Sequence, residues 1–273
     1  MAKEKEVPIT PAVLSTAAAK YDNFGHEMRV RALLEESGCE VEHGWTYTDP
    51  VEDKPRQFDL RALFRSGNNV HQIRMAIECK NLDLAAPLLI SGARRKSAEA
   101  FLDYIVSDGT QGCRPSIVSG ARSGALYPLD SFVGKSLLHL KPDKENLIPV
   151  REEANSIYNR WAQALASAVD LCARAALAGK DTGLRIKTAI LPIVVLPDST
   201  LWFLEYDRHG TPVSDPAPTN QASVFLKHNV NVAPMPRSMN LSHVNFYTIA
   251  GFRQFLASLK PEHIDWEDIF PAE

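Results

Sequence analysis

The sequence predicts an α/β fold, a central mixed sheet flanked by helices, and three observations predict it. From Gln57 to Asn81 apolar and polar side chains alternate twice with the period of a strand. Apolar residues recur at helical spacing before that stretch, on the segment ended by Gly38, and long after it, over Arg151 to Gly179. A dense apolar run, Ile186 to Leu196 (IKTAILPIVVL), has the pattern of a strongly buried strand.

In chain order, Thr10-Pro11 is an N-cap followed by Pro at the first helical position, and Leu14, Ala17, Ala18 and Tyr21 form the stripe of a packing arm. Asp22-Asn23 breaks that helix, and Asn23 can cap a second one through Leu34, which Gly38 stops. Its Val30, Leu33 and Leu34 face the core. Glu27 lies near its N-terminus, where the dipole favours a carboxylate. Cys39 to Thr48 reads as the first strand, with Trp45 and Tyr47 as packing residues. The polar turn TDPVEDKPRQ carries Lys54 and Arg56, which could clamp a phosphate backbone or stand as exposed loop charges.

In the hairpin that follows, Phe58, Leu60, Ala62 and Phe64 share one face, opposite Asp59 and Arg61. On the second strand Ile73, Met75, Ile77 and Cys79 point one way, and Glu78 and Lys80 the other. Ser66-Gly67-Asn68-Asn69 is turn chemistry. With a loop of Gly67 to Val70, Ser66 faces His71 and Asp59 stands directly opposite Glu78. Opposed side chains have Cβ atoms roughly 4.5–5.5 Å apart, and like charges there destabilise the sheet. A divalent cation between the carboxylates would remove the repulsion, with Lys80 within reach of whatever it binds. Mg²⁺ is typically held by one or two carboxylates, water and substrate phosphate completing its shell. That is a phosphodiester-cleaving site in outline; the same charges could also form a plain ion-pair lattice on a solvated sheet face.

After the hairpin, Leu82 to Ser91 crosses the end of the sheet, and Gly92-Ala93-Arg94-Arg95-Lys96 opens a helix that buries Ala98, Phe101, Leu102 and Ile105. A basic run at a helix N-terminus opposes the macrodipole, a cost easier to understand if an anion binds there. Arg94, Arg95 and Lys96 thus join Lys54 and Arg56 as candidate nucleic-acid contacts. Ser107 to Tyr127, rich in Gly and Ser, reads as an irregular, substrate-facing loop, and Lys135 to Pro149 as a connector. The helix from Arg151 to Gly179 carries Ile157, Trp161, Leu165, Ala168 and Cys172 on one face, as a core helix or a partner contact. Strands follow at LWFLEYD, at Ala222 to Val232 and at His243 to Ile249, then a closing helix at Gly251 to Leu259 and an acidic tail. No linker divides the chain, so the expected organisation is a helical arm (1–24), a core (25–200) and a β-rich elaboration of the same domain (201–273).

A net charge of −3 means that any nucleic acid must be held by local basic patches. Cys39, Cys79, Cys113 and Cys172 form no C-x-x-C pair, which points to reduced thiols and away from zinc or a disulfide framework. The start, MAKEKEVPIT, lacks an apolar h-region and no apolar run approaches a membrane span, so a cytoplasmic protein is expected. No P-loop, Ser-His-Asp set or H-E-x-x-H helix occurs, and His209, His228 and His243 have no ligand spacing.

The ordered set of Glu27 on a helix, Asp59 on a strand and Glu78-Cys79-Lys80 on the next resembles the PD-(D/E)xK nuclease superfamily, over roughly Gly25 to Ile90. The resemblance implies a restriction-endonuclease-like core of order αβββαβ with extra C-terminal strands, and a Mg²⁺-dependent endonuclease acting on DNA, with Mn²⁺ able to substitute. Asp59 and Glu78 would bind the metal, with the Cys79 carbonyl as a third ligand; Lys80 would orient the attacking water and neutralise developing charge, and Glu27 would hold a second ion or an ordered water. Gln57-Phe58 precede Asp59 where many members carry a second acid or a Pro, a departure that bears on a second metal and not on the first. The nearest functional context is bacterial restriction or phage defence, often with an NTPase or sensor partner, which would be a second chain here. Cutting both strands usually needs two active sites, hence a homodimer. The alternative is a non-cutting nucleic-acid-binding or scaffolding subunit with the same fold.

Overall fold

The computed structural model describes residues 8–49, 53–110, 114–150, 154–232, 235, 237–260 and 262–271. Helix α1 (Pro11–Tyr21) starts as expected, the Thr10 hydroxyl accepting from the Val13 amide at 3.3 Å. The anticipated packing stripe is not buried, since Leu14 is 57% exposed; the Tyr21 side chain lies outside the described ones. Helix α2 (Phe24–Glu36) buries Val30, Leu33 and Leu34, and Gly38 beyond it takes a φ of 80°. Asn23 makes no side-chain cap: its side-chain Oδ1 accepts from the Asn81 backbone amide at 3.1 Å, and the Asn81 side chain donates to the Asp22 backbone carbonyl at 3.2 Å. These bonds tie the start of α2 to the end of the hairpin.

The single strand expected over Cys39 to Thr48 is broken at Gly44 (φ 70°) into β1 (Glu40–His43) and β2 (Thr46–Thr48), and β2 pairs with β3 (Pro55–Gln57). Next, β4 (Leu60–Arg65) and β5 (His71–Cys79) form the antiparallel hairpin in the expected register, Leu60 facing Ile77 and the Ser66 amide donating to the His71 carbonyl at 2.9 Å. The turn is fixed by Asn68, whose side-chain oxygen accepts from the Ser66 hydroxyl (2.6 Å) and the Val70 amide (3.3 Å), while Asn69 takes a left-handed φ of 59°.

The helix expected from Gly92 is absent. The chain forms β6 (Leu88–Arg94), a 3₁₀ turn at Ser97–Glu99 and β7 (Leu102–Asp108). Leu102 to Val106 are buried on both faces, so apolar spacing there carries no strand period, and tertiary pairing decides. The stretch expected to be irregular holds β8 (Ser116–Ala121), antiparallel to β7, and the expected connector is the hairpin β9 (Phe132–Asp143) and β10 (Asn146–Pro149).

Helix α3 (Ala154–Thr182) runs past Gly179 and stops before Gly183, whose φ is 70°. Gly179 serves packing instead: a Cβ there would lie 2.5 Å from the Ser107 carbonyl, and its amide donates to the Ser107 hydroxyl at 2.8 Å. Trp161, Leu165, Ala168 and Cys172 are buried as expected; the Ile157 side chain lies outside the described ones. The remaining elements are β11 (Arg185–Leu196), β12 (Leu201–Glu205), β13 (Ala217–Pro218), β14 (Gln221–Val230), β15 (Met239–Thr248), α4 (Ile249–Ser258) and α5 (Trp266–Ile269).

Among the described residues thirteen strands make one mixed sheet whose main path is β1-β4-β5-β11-β15-β14-β9-β6-β12-β13. At its centre β11 runs parallel to β5 and β15. Its Leu191, Ile193 and Val195 pack with residues of α2, α4 and α5, and its Ile190, Val194 and Leu196 with residues of α3, giving three layers, helices on both faces of the sheet. The last third is built into that sheet, since β15 pairs with β11 and β12 with β6. Cys39, Cys79 and Cys172 are buried free thiols, and Cys113 lies outside the described residues. Among the described residues no helix is long and apolar enough to cross a membrane.

Candidate active site

Continuing the Leu60–Ile77 register by one residue sets Asp59 opposite Glu78, as the sequence implied. The Ser66–His71 pair is hydrogen-bonded, so in an antiparallel ladder every second pair is too, which would include Phe58 with Cys79. The ladder ends before that pair. The Phe58 amide donates to the Trp45 carbonyl (3.2 Å), and the Cys79 amide donates to the Asp59 carboxylate (2.7 Å). The Cys79 carbonyl lies on the same side of the strand as its amide and so faces the Asp59 side. Glu78 and Lys80 form an ion pair, Glu78 being 3% exposed at the side chain.

Two further ties bring α2 to this point. The His26 ring nitrogen Nε2 donates to the Val195 carbonyl at 3.1 Å, the same oxygen that accepts from the Lys80 amide at 3.0 Å. Glu27, in the first turn of α2, bonds Nε2 of His43 at 3.0 Å. Glu27, Asp59, Glu78 and Lys80, predicted from four separate positions, thus gather at one end of the sheet, while His26, His43 and Asn81 complete the group and were not anticipated.

Charge and burial work against each other here. Burial pushes the Asp59 carboxyl above its ordinary value; the Cys79 amide opposes that shift and the charge of Glu27 adds to it. Glu78 is pushed up to about 7, by burial first and by Asp59 second, with Lys80 pulling the other way. Burial holds the His26 imidazole below its usual value, which suits a neutral donor at Nε2. Among the described residues no three Asp, Glu, His or Cys side chains form a ready metal cage.

Arg61, on the same sheet face, is structural. It is 2% exposed, donates to the Asp170 carboxylate (2.7 Å) and the Ser167 hydroxyl (2.9 Å) of α3, and stacks 4.1 Å from the Phe58 ring and 4.9 Å from the Tyr47 ring. Helix α3 covers this face, so it is not the solvated one that the ion-pair alternative supposed.

The expected basic contacts fall into two groups, one already paired and one far along the sheet. Arg56 pairs with the buried Asp49 at 2.6 Å, and Lys54 is exposed beside it. Arg94, Arg95 and Lys96 belong to the end of β6, five strands from β5 along the sheet, or about 24 Å at ~4.8 Å per strand. Arg94 lies over the Phe132 ring at 5.4 Å, and Lys96 is exposed. Arg95 is turned inward, 6% exposed, donating to Ser131, Ser223, His243 and the carbonyls of Glu99 and Phe132. Burial and Arg95 hold His243 down to about 3, so its Nε2 accepts from Arg95. All five guanidinium donors being engaged, Arg95 offers nothing to a phosphate.

Compared with known proteins, the chain matches no family model, and no curated protein or solved structure matches it at a significant level.

Proposed function

We propose that this chain is a metal-dependent endonuclease of the PD-(D/E)xK type that hydrolyses DNA phosphodiester bonds, in restriction or phage defence and in concert with a partner chain. The observation that carries the reading is the facing pair Asp59 and Glu78, the first partly buried and the second buried, both pushed toward protonation, with Lys80 on the same strand end. The order α2, β1, β4, β5, α3, β11, with β11 parallel to β5, supports it, since an αβββαβ order is what such a core would have, with β2 and β3 and then β6 to β10 as insertions.

The donor set suits a hard divalent ion. Two carboxylates and the Cys79 carbonyl are oxygen ligands of the kind Mg²⁺ and Mn²⁺ take, with water and phosphate supplying the rest. Such an ion supplies Lewis acidity toward a phosphoryl oxygen and the attacking water. The side chains of the chain do the remaining work. Asp59 is oriented by the Cys79 amide and Glu27 by His43. Lys80, paired with Glu78, would bond the attacking water and offset the charge that grows on the phosphoryl group as the P–O ester bond breaks. A second reading, a non-cutting nucleic-acid-binding or scaffolding subunit, is favoured by the Glu78–Lys80 ion pair, which satisfies both groups without a metal.

Cleavage assays on short duplexes and on single strands, with Mg²⁺ or Mn²⁺, separate the two. Glu78→Ala and Lys80→Ala are expected to lose at least about a hundredfold in rate while keeping the wild-type circular dichroism. Full activity in either variant would overturn the mechanism.

A further inference from the structure

Four arginines on the elements around the site are committed to carboxylates of this chain, Arg31 to Glu35 at 2.8 Å, Arg56 to Asp49 at 2.6 Å, Arg65 to Glu40 at 2.9 Å and Arg174 to Glu42 at 3.0 Å, while Arg29 of α2 is exposed near His26. With a net charge of −3, phosphate contacts with counterion release are a weak basis for holding duplex DNA here. The same region spends exposed surface on aromatic rings instead. Among the described residues three Phe, Tyr or Trp side chains are markedly exposed: Trp45 (66%), Phe24 (55%) and Phe132 (38%). Two of the three stand beside the site.

Phe24 opens α2 one turn before Glu27, and its ring lies 5.9 Å from that of His43, the residue bonded to Glu27. Trp45 follows His43 across Gly44, and its carbonyl accepts from the amide of Phe58, the neighbour of Asp59. The Phe24 ring thus packs beside His43 and the Trp45 backbone is tied to Phe58, while both rings face solvent. An aromatic face recognises any base by stacking, but only where the base is not already stacked inside a duplex.

We propose that Phe24 and Trp45 form a stacking platform for unpaired nucleobases, so that the strand delivered to Asp59 and Glu78 is single-stranded DNA. The platform stands on the exposed rings alone; its role in delivering substrate rests on the nuclease reading.

The test uses the full chain in chelator, so that nothing is cut, with a labelled oligo-dT strand of about 20 nucleotides and a duplex of equal length, about one site size or more for such platforms. Single-stranded DNA is expected to quench tryptophan emission in the wild type and in Phe24→Ala, and to quench it far less in Trp45→Phe, which keeps a stacking ring and near-wild-type Kd. Trp45→Ala and Phe24→Ala are each expected to weaken single-strand binding by about fivefold or more and to leave the melting curve unchanged. Equal Kd in wild type and Trp45→Ala, or equal quenching by duplex and single strand, would overturn the platform. If the platform fails while metal-dependent cutting persists, the nuclease reading stands and the rings serve something else. If single strands quench and no metal supports cutting, the platform stands and the nuclease reading falls.

Discussion

In chelator, Glu78→Gln is expected to be more stable than the wild type at pH 8 and equally stable near pH 4. Burial and the facing Asp59 push Glu78 up to about 7, against about 4.3 in an unfolded chain. A carboxyl whose folded value is raised contributes stability that is fully present below the unfolded value and is lost as pH rises through the folded one. Between about pH 4.3 and 7 the folded state therefore holds a proton that the unfolded state has released. At 1.36 kcal/mol per unit the loss by pH 8 is on the order of 3 kcal/mol. Glutamine keeps the shape and carries no charge, so it escapes that loss. Asp59, raised in the same direction, makes wild-type stability fall with it. Mg²⁺ is expected to return the lost stability to the wild type at pH 8 and to do little for Glu78→Gln. Denaturant midpoints measured at both pH values, with and without Mg²⁺, check this; identical midpoints at pH 8 in chelator would mean that the two carboxylates do not strain the fold.

Arg61→Ala is expected to cost about 3 kcal/mol or more, the usual consequence of removing one member of a buried pair. The guanidinium holds α3 to β4 through Asp170 and Ser167 and fills the space between Tyr47 and Phe58. Its loss leaves a cavity and removes the nearer of two guanidinium partners of Asp170, which is 28% exposed and keeps Arg174 at 3.4 Å. The double variant with Asp170→Asn is expected to cost less than the sum of the two single changes. Urea unfolding of the four proteins measures that coupling. Cutting per folded molecule should be little changed in Arg61→Ala, since Arg61 bonds α3 and none of the site acids; a loss of cutting in fully folded Arg61→Ala would move Arg61 into the site.

The parts of this fold that sequence revealed are those where one face is buried or the turn is chemically specified. Ser66 to Asn69 set the hairpin register, and the register alone sets Asp59 against Glu78. The apolar run of β11 was legible because nothing polar interrupts its second half. Between Leu88 and Pro149 the reading failed for two physical reasons. Residues 102 to 106 are covered on both faces, so their spacing fits a helix as well as a strand. The Gly- and Ser-rich β8 has little strand preference of its own and is held by pairing to β7. Arg95 illustrates the consequence: in a basic run it looked like an anion contact, and only the approach of β9, β14 and β15 makes it a buried donor. His43 carries no local signal beyond its place at the end of β1. It joins the site because β1 pairs with β4, setting it opposite Leu60, beside Asp59.

The most direct test of the central claim is nicking of supercoiled plasmid by wild type and Asp59→Asn, side by side, with Mg²⁺ or Mn²⁺ and with chelator, supplying any required partner from a lysate of the native host. The expected result is cutting by the wild type that needs the metal and disappears in Asp59→Asn. Cutting that survives Asp59→Asn, or that proceeds in chelator, would contradict a cation site built on Asp59 and Glu78.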